Sequence, residues 1–77
     1  MNKKEMLIEY IIQDIVYFII IDNNIKIDEA MNVFYNSQIF EKLQDTETGL
    51  YLNGSAYIYE IFKEEEFSRR NKLSDYT

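Results

Sequence analysis

Residues 6–21 read MLIEYIIQDIVYFIII, and thirteen of these sixteen are aliphatic, aromatic or Met. That is more apolar surface than a 77-residue soluble chain easily hides on its own. Leu7, Ile8, Ile11, Ile12, Ile15, Phe18, Ile19 and Asp22 recur three and four apart, which predicts a helix over about Lys3 to Asp22. The β-branched run would suit a strand, but about twenty residues at helical period are too many for one in so small a domain. A narrow polar line, Glu5, Glu9 and Gln13, continues into Tyr17. Beside it Met6, Tyr10 and Ile21 form a second apolar flank, widened by Val16 and Ile20. One face packs on the other helices. The second must meet something else.

Asp22-Asn23-Asn24 ends this helix, since Asn tolerates the left-handed conformation at a C-cap. A second helix is expected over Ile27–Tyr35, with Asp28 and Glu29 favourably placed in its first turn and Ile27, Ala30, Met31 and Phe34 inward. Ser37 is an N-cap for a third, Gln38–Gln44, presenting Ile39, Phe40 and Leu43. Asp45 to Gly49 is turn chemistry, and Leu50, Tyr51 and Leu52 follow as a partly buried extended segment. Asn53-Gly54 turns the chain, and Ser55 caps a fourth helix over about Ala56 to Phe67. A hairpin joining residues 50–52 to 57–59 is the alternative. Ile58, Ile61, Phe62 and Glu65 share one helical face, with Glu60 and Glu64 on the outer one. The reading is an all-α class: a compact bundle of about four helices in one domain, residues 1–67, followed by a flexible, disordered tail, residues 68–77.

Composition narrows the function classes. Apolar residues make up 47% and charged residues 29%, as in a folded globule. With no Pro and two Gly, helices are favoured over a turn-rich sheet. A chain this short buries only about 60% of its unfolded surface, so assembly would add needed stability. A net charge of −6 repels phosphate backbones and argues against direct nucleic-acid binding. Glu9, Gln13 and Asp14 break the leading apolar stretch below the about 20 residues of a membrane span. No small-residue cleavage site follows it, so the reading is a cytoplasmic protein without membrane attachment.

With neither His nor Cys, imidazole bases, thiolate nucleophiles and the usual zinc ligands are excluded. No phosphate-binding glycine loop is present. Asp45 to Gly49 fails as a calcium loop, because Leu50 stands where the turn glycine belongs and Ala56 where the bidentate Glu belongs. No catalytic residue, metal site or cofactor is expected, and an enzyme is not the reading. Glu60, Glu64, Glu65 and Glu66 read first as a solvated helix surface. Asp14, lodged among isoleucines, reads as a helix-edge residue or an ion-pair partner. The seven tyrosines, at 10, 17, 35, 51, 57, 59 and 76, divide between core and interface, where tyrosine gives large contact area at modest entropic cost. The interface candidates are Met6, Tyr10, Tyr17, Ile20, Ile21 and Tyr59.

The order Ala30, Phe34-Tyr35, Ser37, Phe40, Leu43, then Thr48-Gly49-Leu50-Tyr51, Ser55, Tyr57-Ile58-Tyr59 and trailing Glu resembles a group of short, all-helical bacterial proteins of unknown function. Some of these are encoded beside toxin-like genes, ADP-ribosyltransferase-like ones among them. The resemblance covers about residues 27–66, and Thr-Gly-Leu-Tyr is its most specific part. It implies an interaction protein, an antitoxin in one version, with no catalytic residue to carry over. Its matching positions are structural: Ser37 and Ser55 as caps, Gly49 as a turn, Leu50 and Tyr51 as anchors. Together these readings predict a protein-binding module that forms a homodimer through the first helix. The alternative is an acidic, phage-type inhibitor that occupies a nucleic-acid-binding channel of its target, with Glu41, Asp45, Glu60, Glu64 and Glu65 on one face.

Overall fold

Four helices carry the chain: α1 (Lys3–Asn23), α2 (Ile27–Tyr35), α3 (Gln38–Gln44) and α4 (Ser55–Asp75), with short 3-10 turns at Thr46–Thr48 and Leu50–Asn53. The structure, a computed structural model, describes the backbone of residues 2–75 and the side chains of residues 2–69. Among the described residues there is no strand, which removes the hairpin alternative.

Local chemistry sets most of the boundaries. Asn2 opens α1 with a reciprocal cap: its Oδ1 accepts from the Glu5 N–H at 2.8 Å, and Glu5 Oε2 accepts from the Asn2 N–H at 3.4 Å. At the other end Asn24 takes φ +53 and its N–H reaches the Ile20 carbonyl at 2.9 Å, the expected left-handed stop. Ser37 caps α3 as expected, accepting from the Phe40 N–H at 3.1 Å. Its hydroxyl also donates back to the Phe34 carbonyl at 2.6 Å, so one buried serine finishes α2 and starts α3. Gly49 sits at φ +70 between the two 3-10 turns, a conformation in which a Cβ would be strained.

Three expectations about the course of the backbone and its caps need correction. Leu50 to Leu52 are not extended: they wind into a 3-10 turn that buries Tyr51 and half-buries Leu50. Ser55 is not a cap but the first residue of α4, following Gly54 at φ +82. Its hydroxyl instead donates to Asp14 Oδ2 at 2.6 Å, fastening α4 to α1. The tail expected from Ser68 is helical as far as Asp75, and residues 76 and 77 lie outside the described residues. Arg69 lies 3.9 Å from Glu65 and 3.5 Å from Glu66, favourable one-turn pairs that support the extension.

The core forms where α1 packs against α2 and α4, with α3 packed on both α4 and α2. From α1 come Ile8, Ile11, Ile12, Ile15, Val16 and Ile19; Ala30, Phe34, Ile39, Leu43, Tyr51, Ile58, Tyr59 and Phe62 complete it. Val16, expected on the outer flank, is buried on the side facing α2, while Leu7 and Ile27, expected inside, are exposed. Phe34 is the hub, meeting Phe40 and Phe62 edge-to-face at centroid distances of 5.5 Å each. That geometry suits the positive ring edge against a negative ring face.

Candidate protein-binding face on α1

The side of α1 turned away from the core carries large apolar side chains beside the exposed Glu9, Gln13 and Asp14. Met6, Leu7, Tyr10, Tyr17 and Ile21 are 44%, 45%, 59%, 61% and 60% exposed. Leu7, Tyr10, Tyr17 and Ile21, with Asp14 between them, alternate three and four apart and so form one stripe along the helix. Met6 lies beside it. Leu7 keeps helical spacing with the inner residues as well as with this stripe, so periodicity alone does not say which face it joins.

Tyr17 stands between two grooves. One, of about 320 Å³, runs between α1 and α4, lined by Tyr17, Phe18, Ile21 and Asp22 on one side and Ala56, Tyr59, Glu60 and Lys63 on the other. The other, of about 350 Å³, lies between α1 and α2, lined by Ile12, Gln13, Val16, Tyr17 and Ile20 and by Ile27, Met31 and Tyr35. Of the six interface candidates, Met6, Tyr10, Tyr17 and Ile21 are therefore surface residues. Ile20 is half-buried in a groove wall.

Tyr59 is a correction. It is only 7% exposed and its ring packs on Phe18 and Phe62, so it belongs to the core and contributes one edge to a groove. Its hydroxyl donates to Asp22 Oδ2 at 2.6 Å. Burial, and then the hydrogen bond to the Asp22 carboxylate, push its pKa well above the ordinary phenol value. Lys63 Nζ lies 4.9 Å above the same ring and pairs with Glu60 at 3.0 Å. A phenol held this firmly protonated, with no base beside it other than its own acceptor, is a structural link.

The remaining acids are placed structurally. Asp14 is exposed, and its partner is the neutral Ser55 rather than a cation. Glu65 accepts the N–H groups of Gln38 at 3.2 Å and Ile39 at 3.0 Å, capping α3 from α4. Nothing in the local sequence signals that contact, which spans 26 positions. Among the described residues no group of three acidic side chains is arranged to hold a metal ion, and no helix is long and apolar enough to cross a membrane. No family model, curated protein or solved structure matches the chain.

Proposed function

We propose that this protein is a non-catalytic interaction module that self-associates through the exposed face of α1, Met6, Tyr10, Tyr17 and Ile21 being its contact residues. The observation that carries the reading is that face itself: large apolar side chains open to solvent along a helix whose opposite side already fills the core. Burying one such side chain fully is worth roughly 1.5–3 kcal/mol, so several on one stripe drive association. Two are tyrosines, whose flat rings and polar tips suit an interface. A cytoplasmic antitoxin-like role, with a toxin-like protein as second partner, is the version supported by the resemblance across residues 27–66. The acidic-inhibitor alternative draws no specific support, because Glu60 is paired with Lys63 and Glu65 is turned to the start of α3. Light scattering on the eluting protein tests self-association. Co-purification with the co-expressed product of the adjacent gene tests the antitoxin version, and failure to bind or neutralise that product removes it.

A further inference from the structure

Asn53-Gly54 turns the chain, and it is also the pairing in which an asparagine most easily reacts with its own backbone, because glycine puts no side chain in the way of the closing ring. Asn53 alone among the asparagines of the chain precedes a glycine. Both residues are exposed, at the joint between the second 3-10 turn and α4. A Cβ added to Gly54 would meet nothing within 4 Å, so the space beside its nitrogen is open. Asn53 Nδ2 donates to the Leu50 carbonyl at 3.1 Å and more weakly to that of Gly49 at 3.5 Å, while the Gly54 N–H makes no hydrogen bond of ordinary geometry. These bonds are all local. Freeing the amide takes rotation within one 3-10 turn and no movement of the helices.

We propose that Asn53 is a site of spontaneous deamidation in the folded protein, and that the isoaspartyl product loosens the start of α4. The Gly54 amide nitrogen, its proton given up to water, attacks Asn53 Cγ. That N–C bond forms, the Cγ–Nδ2 bond breaks, and Nδ2 leaves as ammonia after taking a proton from water. Water then opens the cyclic imide at either carbonyl. Opening at Cγ leaves an aspartyl residue and an unchanged backbone. Opening at the main-chain carbonyl leaves an isoaspartyl residue, whose link to Gly54 runs through the side chain and is one carbon longer. The two products differ in what they do to the fold. The aspartyl carboxylate precedes the N-terminus of α4, where negative charge is favourable, so that form keeps α4 in place. The longer link instead shifts two groups relative to Tyr51, which is anchored in the core. One is the Gly54 carbonyl, which accepts the Ile58 N–H at 3.2 Å; the other is the Ser55 hydroxyl, which holds Asp14 at 2.6 Å. The change is slow and irreversible, and it falls at the contact that fastens α4 to α1.

The full-length protein is incubated near neutral pH, folded and in urea, and mass spectrometry of its peptides follows the change from amide to acid at each asparagine. Asn53→Gln is the control, since its longer side chain closes the ring poorly. Methylation by an isoaspartate-specific enzyme separates the two products. The expected result is acid at Asn53 ahead of every other asparagine, and none at that position in the control. Reaction in the folded chain should be no more than about thirtyfold slower than in urea, the factor for breaking one or two local hydrogen bonds. Slowing well beyond that, toward the about thousandfold or more of global unfolding, overturns the proposal. Earlier reaction at another asparagine overturns it as well. The purified isoaspartyl form should melt about 4–8 °C below wild type, the size of one lost hydrogen bond in a domain this small, while Asn53→Asp melts with wild type. An isoaspartyl form that melts with wild type, or an Asn53→Asp protein that melts as low as the isoaspartyl form, overturns the loosening of α4.

Discussion

The Tyr59 hydroxyl meets the Asp22 carboxylate at 2.6 Å, joining the last turn of α1 to the second turn of α4 over 37 positions of sequence. Tyr59→Phe keeps the ring packing and deletes this bond. Since Asp22 is solvent-exposed and rehydrates, the cost is set by the lost charge-assisted bond, about 1–2 kcal/mol. Urea unfolding of the two proteins measures it.

The same pair predicts an alkaline dependence. Burial and Asp22 raise the Tyr59 pKa in the fold above its ordinary 10.0, so the folded state favours the protonated phenol. The stabilisation is complete below about pH 10 and is lost as pH rises through the folded value, because the unfolded chain releases its proton first. Wild type should lose stability more steeply than Tyr59→Phe from about pH 10 upward. Parallel pH profiles of the two chains would disprove the linkage.

Glu65 predicts a long-range capping effect. Its carboxylate holds the Gln38 and Ile39 N–H groups at the positive end of α3. Glu65→Ala should cost about 1–2 kcal/mol, with Glu65→Gln intermediate because an amide oxygen still accepts. Thermal melts followed by circular dichroism give the order.

Ser37→Ala strips one hydroxyl from two helices at once, leaving the Phe40 N–H without its acceptor at a site 2% exposed. About 1–2 kcal/mol is expected, and at about 4–8 °C per kcal/mol for a domain this small the melting temperature should fall by 5–15 °C or so. A melt unchanged within error would remove Ser37 from the scaffold.

How far the sequence could be read depended on whether a signal was local. α2 and α3 begin and end where first-turn charge, apolar spacing and the Ser37 cap place them, because Asp28, Glu29 and Ser37 act within one turn. The end of α4 is not legible, since residues 68–75 have no apolar period, and helix continuation there is favoured by charges one turn apart, Glu65 and Glu66 with Arg69. Ser55 carries a capping residue's chemistry but turns it toward Asp14, 41 positions away. Tyr59 and Val16 are as apolar as Tyr17 and Ile21, and only the packing of α4 and α2 decides which of them are covered. The exposed stripe itself was legible as a surplus, though not which residue stood at its edge.

Size-exclusion chromatography with light scattering, on wild type and on Ile21→Glu, tests the binding face most directly. Ile21 is 60% exposed, so a charge there leaves the protomer's fold intact by circular dichroism. The expected masses at micromolar concentration are two chains for wild type and one for the variant. A wild-type protein that elutes as a single chain, with nothing bound, contradicts self-association through α1.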